Sequence, residues 1–273
     1  MCTEGQVVHT LPEGLEVGGI TSLAGEIYLL RPKERDQVEV YDISYRLQRR
    51  LTVPDAEGFV DMTSCEHYHC VYISDHGIEC IHRLGVQGAA TRWAVNDKPS
   101  GLSLNATRNV LVVCPRVRKI KEFSSQGKLL RELTLPGEAV QPWHAIQLTN
   151  NQFVVCHGKH DDPLNRVCMI SADGRHIVHS HGGQPGSDTG QYDWPIHLAV
   201  DNNEFVFVVD AYNRRVTLLS PTLHYVHQVV SSDKLKCDPR RLYFDVQRRR
   251  LYVADNEHKD VKVISGRVVV FSV

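Results

Sequence analysis

The sequence predicts an all-β fold, a six-bladed β-propeller made of four-stranded antiparallel blades. A short apolar stretch that stops at a polar or strand-breaking residue occurs six times, ending at positions 31, 75, 115, 157, 210 and 255. A repeat of about forty residues in an all-strand sequence is typical of propellers, in which each repeat forms one blade. No segment carries the apolar periodicity of a helix, which agrees with this fold class.

The second strand of each blade is the clearest element in the sequence. It is rich in β-branched and aromatic residues at consecutive positions, which is the pattern of a strand buried on both faces. The six copies are Ile27–Arg31, Val71–Asp75, Leu111–Pro115, Phe153–His157, Val206–Asp210 and Leu251–Asp255.

The other strands of each blade are placed relative to this one. The first strand opens with proline in four repeats, at positions 99, 142, 195 and 239, where a missing N–H costs little. A third apolar strand follows the second and closes on Ser, Asp or His. The fourth strand comes after a tight turn, in which Gly127 and Gly174 supply the positive φ that such turns need.

The two ends of the chain are predicted to complete one blade together. The last repeat stops after its third strand, while residues 4–11 resemble the turn and fourth strand at residues 126–133. We therefore predict that the N-terminal strand closes the last blade, which removes free sheet edges. Residues 1–273 then form a single propeller domain, which we expect to be monomeric.

Composition and charge exclude several classes of protein. The formal net charge is −1, so no global basic field indicates a nucleic-acid-binding protein. The sequence shows no secretion signal and no apolar run near the ~18 residues of a membrane span. We therefore expect a cytoplasmic protein whose eight cysteines are reduced thiols. No nucleophile motif, phosphate loop or dinucleotide fingerprint occurs, which predicts a non-enzyme without a cofactor.

The fifth repeat resembles an NHL repeat, and the resemblance extends over the whole chain. Its pattern is Gly190, then Pro195, then Val200–Asp201, then Val209–Asp210 and Asn213–Arg214. NHL propellers form the C-terminal substrate-binding modules of tripartite-motif (TRIM-NHL) proteins, so the resemblance implies binding of a protein or of single-stranded RNA. The RING, B-box and coiled coil of that family are missing here, so ubiquitin-ligase activity is not implied. The related amidating-lyase and Ca²⁺-dependent lactonase propellers share the architecture but are enzymes.

The start of each first strand should line the mouth of the central channel. The residue two positions after proline is Gly101, His144, His197 or Arg241, and Gly19 and Asp61 take this position in the first two blades. This ring predicts either a polar pocket for an anion, a metal or a peptide group, or simply a solvated channel. For zinc, His157 is the candidate third ligand beside the two ring histidines, but no obvious general base accompanies them.

A second Cys/His-rich segment, Cys65–Cys70, is predicted to be a hairpin rather than a zinc site. Structural zinc sites pair two ligand knuckles that lie a dozen or more residues apart, whereas here all the ligands lie within six residues.

The loops on the same face as the channel mouth, the top face, carry basic and aromatic residues. They could neutralise phosphates and stack bases, as a single-strand RNA reader requires. The residues include Arg116, Arg118, Trp143, Tyr192, Trp194, Arg214, Arg215 and Arg240. The aspartates that end the second strands are expected to cap loop N–H groups instead.

The sequence therefore predicts a non-catalytic binding module that recognises a protein or peptide through its top face. Single-stranded RNA is the alternative ligand. A metal-dependent hydrolase or lyase with its site in the channel is the third interpretation.

Overall fold

A computed structural model describes residues 4–14, 16–32, 37–160, 163–184, 186–259 and 262–273. Its strands form six antiparallel sheets of four strands each, which confirms the predicted propeller. Within these ranges the helical content is a single 3₁₀ turn, Ser232–Lys234. No helix among the described residues is long and apolar enough to cross a membrane.

In the first five blades the strands run from the channel to the outside in chain order. The first blade contains β2 (Gly19–Leu23), β3 (Glu26–Arg31), β4 (Gln37–Tyr41) and β5 (Leu47–Thr52). The second contains β6 (Phe59–Cys65), β7 (Cys70–Asp75), β8 (Cys80–Gly85) and β9 (Ala90–Ala94). The third contains β10 (Leu102–Leu104), β11 (Val110–Cys114), β12 (Lys119–Phe123) and β13 (Leu129–Thr134).

The remaining blades repeat this order. The fourth contains β14 (Pro142–Gln147), β15 (Phe153–His157), β16 (Arg166–Ile170) and β17 (Ile177–Gly182). The fifth contains β18 (Pro195–Val200), β19 (Val206–Asp210), β20 (Arg215–Leu219) and β21 (Tyr225–Val230). The sixth contains β22 (Asp238–Asp245), β23 (Arg250–Lys259) and β24 (Lys262–Ser272), and it is completed by β1 (Gln6–Thr10).

The N-terminal strand closes the ring, as predicted. β1 pairs antiparallel with β24, with Gln6 opposite Ser272. Beside this ladder, the N–H of Leu11 donates to the carbonyl of Val268 at 2.9 Å. The first and sixth blades are therefore held together by the two ends of the chain, and β24 has no free edge along this pairing.

The core lies between neighbouring blades rather than within one sheet. The second strands are buried along almost their whole length, as their continuous apolar sequences predict. Between the fifth and sixth blades, for example, Phe207 and Val216 share a cluster with Val253 and Phe271. This packing fixes each blade relative to the next, and so fixes the first strands around the channel.

The aspartates that end the predicted second strands are structural, as expected, although β23 continues past Asp255 to Lys259. Asp75, Asp210 and Asp255 are buried, and each accepts hydrogen bonds from N–H groups of the loop that enters its blade. In the sixth blade, for instance, the N–H groups of Lys236 and Cys237 donate to Asp255 at 2.9 and 2.8 Å. These carboxylates therefore anchor top-face loops to the blades.

The Cys65–Cys70 segment is the hairpin between β6 and β7, in which Cys65 lies opposite Cys70. The seven cysteines within the described residues are free thiols, and Cys2 lies outside those residues.

Candidate functional site

A cavity of about 400 Å³ lies at the top of the central channel, and all six blades contribute to its wall. The residues that come from the start of each blade are Gly18, Val60, Ser100, Trp143, Ile196 and Arg240. The next residue along the chain in each blade belongs to the ring predicted from the sequence: Gly19, Asp61, Gly101, His144, His197 and Arg241. The cavity and the predicted ring are therefore adjacent layers of one site.

A β-bulge explains why two consecutive residues of a strand both serve this site. In the second, fourth, fifth and sixth blades the pairing between the first and second strands skips one residue. The skipped residues are Val60, Trp143, Ile196 and Arg240, which are the residues that line the cavity. Bulges re-aim side chains at the rims of closed sheets. Period-two alternation in the sequence gives no sign of this change of direction.

Asp61 is the centre of the ring. Both of its carboxylate oxygens lie 3.3 Å from Nε2 of His197, which belongs to the opposite blade. Nε of Arg241 lies 3.3 Å from Oδ1, and Nε2 of His144 lies 3.8 Å from Oδ2. The predicted polar residues of four blades therefore meet within the channel.

Backbone groups hold this cluster in place. The N–H of Leu102 donates to Asp61 Oδ2 at 2.8 Å, and Nε2 of His144 donates to the carbonyl of Leu102 at 2.9 Å. The guanidinium of Arg241 donates to the carbonyl of Val60 at 2.7 Å. Nδ1 of both His144 and His197 is buried and has no hydrogen-bond partner among the described residues.

Burial sets the charge state of the cluster. Burial and, to a smaller extent, the neighbouring His197 lower the pKa of His144 to about 3, although Asp61 acts to raise it. Burial also lowers the pKa of His197. Burial acts to raise the pKa of Asp61, but His197, Arg241 and His144 outweigh it, so this pKa lies below its usual range. At neutral pH the cluster therefore contains one carboxylate, one guanidinium and two neutral imidazoles.

The glycine of the third blade makes room for this arrangement. A Cβ atom at Gly101 would lie 2.5 Å from the carbonyl oxygen of Trp143 and 2.6 Å from Cδ2 of His144. Because such contacts are shorter than any real Cβ contact, a side chain at this position would displace the imidazole. The small residue in the predicted ring is therefore part of the site's shape.

Aromatic side chains and a cation form one wall of the cavity. The rings of Trp143 and Trp194 meet edge to face at 5.8 Å, and Trp194 stacks on Tyr212 at 5.1 Å. The guanidinium of Arg240 lies 4.2 Å from the centre of the Trp194 ring, a cation–π contact. Trp143 is fixed because its indole N–H donates to the carbonyl of Gly158 at 2.6 Å.

Tyr212, which stacks on Trp194 behind this wall, was missed by the sequence analysis, whereas Arg240 was predicted on the top face but not as a cavity residue. Arg240 lies between Pro239 and the predicted Arg241, on the bulge that the strand pattern conceals. Tyr212 lies in the stretch Asp210–Arg214 of the NHL-like pattern, from which only Arg214 was predicted as a top-face binding residue.

Several predicted top-face residues lie elsewhere. The prediction that Tyr192 lies on the top face is wrong. Tyr192 is 1% exposed and packs in the core between the fourth and fifth blades, with its hydroxyl 3.2 Å from Thr217 Oγ1. The guanidinium of Arg215 bonds Asp210 at 2.8 Å and the carbonyl of Gln191 at 2.7 Å, so it braces a loop.

The other basic residues are exposed but do not line the cavity. They are Arg116, Arg118 and Arg214, and Arg118 also donates to the carbonyl of Gly137 at 3.2 Å. His157 is separate from the ring as well, with Nε2 3.2 Å from Sγ of Cys168.

The donor set that could hold a metal ion is therefore different from the predicted one. Within the described part of the chain, Asp61, His144 and His197 offer ligand atoms that all lie within 4.8 Å of one another. The third member is the aspartate of the second blade rather than His157.

No family model matches the chain, and no curated protein matches it. The fold is similar to that of virginiamycin B lyase from Staphylococcus aureus, with 11% identity, 99% of this chain and 100% of that chain covered, and a TM-score of 0.66. A streptogramin B lyase structure gives 12% identity, coverage of 97% and 88%, and a TM-score of 0.65. The WD40 propeller domain of Doa1 gives 10% identity, coverage of 99% and 97%, and a TM-score of 0.64. These similarities establish the β-propeller fold, which enzymes and binding modules share.

Proposed function

We propose that this propeller is a binding module that recognises a protein or peptide segment in the cavity at the top of its channel. The observation that carries this proposal is the wall of the 400 Å³ cavity, which combines Trp143 and Trp194 with Arg240 and Arg241. Ligand sites are usually concave and mainly apolar, with a few polar groups that fix orientation. Trp and Arg are also the residue types that dominate binding energy at protein interfaces.

The chemistry of the wall indicates what the segment carries. The tryptophan rings, with Phe59 and Ile196, offer an apolar surface for an aromatic or aliphatic side chain. Burial lowers the pKa of Arg240, which means that its surroundings disfavour the positive charge. A ligand carboxylate would stabilise this charge through a charge-assisted hydrogen bond. We therefore expect an apolar anchor residue next to an aspartate or glutamate.

Single-stranded RNA is less well supported as the ligand. The guanidinium of Arg215, which the sequence offered for phosphate contact, is already bonded to Asp210 and to loop carbonyls. Tyr192, which was offered for base stacking, is in the core. Three other arginines that were predicted for the top face, Arg116, Arg118 and Arg214, are exposed but do not line the cavity.

Lyase activity is the second candidate, because a carboxylate and two neutral imidazoles lie one residue behind the cavity wall. A general base must come within hydrogen-bond reach of the proton that it removes. The described lining of the cavity includes Arg241 but not Asp61, His144 or His197. The geometry therefore supports binding better than it supports a chemical step.

The test is selection from a phage-displayed library of random peptides on the immobilised protein. We expect the enriched peptides to combine an aromatic or aliphatic residue with an adjacent acidic residue. In calorimetric titrations, Arg240→Gln and Trp194→Ala should each weaken binding at least about tenfold, or about 1.4 kcal/mol. Arg175→Gln is the matched control, because Arg175 is 78% exposed on a turn outside the cavity.

Two results would contradict the proposal. One is that the selected peptides bind the Arg240→Gln and Trp194→Ala variants as tightly as the wild type. The other is that no peptide is enriched while a labelled polyuridine strand binds, with affinity that falls steeply between roughly 50 and 200 mM salt. Circular dichroism of each variant separates loss of the site from loss of the fold.

A further inference from the structure

We propose that Asp61, His144 and His197 form a site for a divalent transition-metal ion of the zinc class inside the central channel. The metal site lies in the layer behind the peptide cavity, and its three donor residues do not line that cavity. Its three donors come from the second, fourth and fifth blades, and all three side chains are at least nine-tenths buried.

The donors are already close enough to share one ion. All three ligand atoms lie within 4.8 Å of one another, and oxygens of Asp61 lie 3.3 and 3.8 Å from Nε2 of His197 and His144. A tetrahedral zinc ion with ligands at 2.0–2.1 Å keeps those ligands about 3.4 Å apart. Small side-chain movements would therefore bring the three donors onto an ion.

The ring nitrogens that face Asp61 are the Nε2 atoms of both histidines. In the metal-free protein these atoms donate hydrogen bonds, from His144 to the carbonyl of Leu102 and from His197 to Asp61. An ion bound through Nε2 would replace these two hydrogen bonds, and the ring protons would then lie on the Nδ1 atoms, which are buried and have no hydrogen-bond partner among the described residues. Metal binding therefore competes with the Nε2 hydrogen bonds.

The donor types select the class of metal. Two imidazole nitrogens and one carboxylate oxygen suit zinc and neighbouring transition metals, whereas Mg²⁺ and Ca²⁺ prefer oxygen ligands alone. A thiolate is not part of the set. Cys156 donates its S–H to the carbonyl of His144 at 3.7 Å, and burial raises the pKa of this thiol to about 12.

The positive charge of Arg241 should weaken binding of a metal ion, and this effect provides a specific test of the proposal. Its Nε lies 3.3 Å from Asp61 Oδ1, so a permanent cation stands beside the site. A divalent ion must bind against this charge. Replacing Arg241 with glutamine removes the charge, so metal affinity should rise in this variant. A cluster that serves only to hold the blades together would show no such gain.

The experiment uses the full chain after removal of metal with a chelator. Zn²⁺ and Co²⁺ are titrated, and bound metal is counted by elemental analysis after dialysis. We expect one ion per chain and visible Co²⁺ bands of a four-coordinate site. His144→Ala and His197→Ala should each weaken binding at least a hundredfold, and Arg241→Gln should tighten it at least tenfold. The matched control is the double variant His179→Ala plus His224→Ala, which removes an exposed imidazole pair with ring centres 5.3 Å apart.

The proposal is overturned if the wild type binds no metal above the buffer level. It is also overturned if metal is lost from the exposed-pair variant but kept in His144→Ala and His197→Ala. A thiolate charge-transfer band in the Co²⁺ spectrum would place the ion at a cysteine instead. If the two histidine variants fail to fold, the wild-type spectrum and the Arg241→Gln affinity decide the question. Failure of the metal site would leave the peptide selection unchanged.

Discussion

Asp61 and His197 meet across the central channel, with the Asp61 carboxylate 3.3 Å from Nε2 of His197, although 136 positions separate them in the sequence. They belong to opposite blades, and Arg241 joins them from a third. In most of the wall the blades touch only their neighbours through apolar packing. This polar layer instead links the second blade to the fifth and sixth blades, which are not its neighbours. It therefore fixes the diameter of the channel.

Replacing Asp61 with asparagine should destabilise the metal-free protein by about 3–5 kcal/mol. The reason is that the guanidinium of Arg241, whose side chain is 15% exposed, would lose its countercharge while it stays largely buried. Urea unfolding followed by circular dichroism measures this change. The double variant Asp61→Asn plus Arg241→Gln should lose less free energy of unfolding than the two single variants lose in sum. Strict additivity would show that the two charges are not coupled.

Replacing Gly101 with alanine should cost about 1–3 kcal/mol, because the new methyl group collides with the Trp143 carbonyl and the His144 ring. Gly85→Ala is the matched control. A Cβ at Gly85 meets its nearest neighbour, the carbonyl of Ala89, at an ordinary 3.5 Å. Thermal unfolding of the two variants should therefore differ by several degrees. Equal melting temperatures would mean that the ring tolerates displacement of His144.

Replacing Arg215 with alanine should destabilise the fold far more than replacing its neighbour Arg214. The guanidinium of Arg215 forms an ion pair with the fully buried carboxylate of Asp210, and it donates a hydrogen bond to the carbonyl of Gln191. Breaking such a pair costs about 3–5 kcal/mol, whereas an exposed arginine contributes within about 0.5 kcal/mol. Arg214 is exposed. Urea unfolding of the two alanine variants tests this, and similar losses for both would contradict the structural role of Arg215.

The sequence was sufficient to place the ring but not to show how its residues are used. The position two residues after proline identified His144, His197 and Arg241, because strand order and repeat length determine what reaches the channel. The bulges could not be predicted, since a single skipped pairing leaves no mark in the pattern of apolar residues. The strand pattern therefore predicted Arg240 on the top face, but it did not show that this side chain lines the cavity.

The sequence also did not show which groups each charged side chain contacts. Arg215 looked available for a ligand because the carbonyl of Gln191, to which it donates a hydrogen bond, lies in a loop more than twenty residues earlier in the chain. Asp61 was assigned to the ring, and six closed blades place it opposite His197. The repeat pattern does not show, however, that the two side chains meet across the channel at 3.3 Å. Repeat patterns give positions along each strand, whereas contacts between loops and across the channel depend on the closed three-dimensional ring.

Acid should weaken the fold partly through Asp75. Its carboxylate accepts the N–H groups of Glu57 and Gly77 at 2.9 Å, and it lies 3.2 Å from Nε2 of His82. Burial acts to raise the pKa of Asp75, but His82 and the loop N–H groups outweigh it, so this pKa lies below the ordinary 3.8. The folded state therefore binds this proton less readily than the unfolded state. The stabilisation is complete above the ordinary pKa and is lost as the pH falls through the lower, folded-state pKa.

The difference between the pKa of Asp75 in the folded and unfolded states predicts how an Asp75→Asn variant depends on pH. At pH 7 the variant should lose about 1–3 kcal/mol, because asparagine offers one acceptor oxygen where the loop N–H groups use two. Below about pH 4 the difference in free energy of unfolding between the wild type and the variant should shrink by up to about 1.4 kcal/mol per pH unit, so the two values should converge. Urea titrations at a series of pH values measure this difference, with Asp55→Asn as the control for an exposed carboxylate. A constant gap down to pH 3 would mean that protonation of Asp75 does not contribute to acid unfolding, and that the loop is held by the remaining contacts of the second blade.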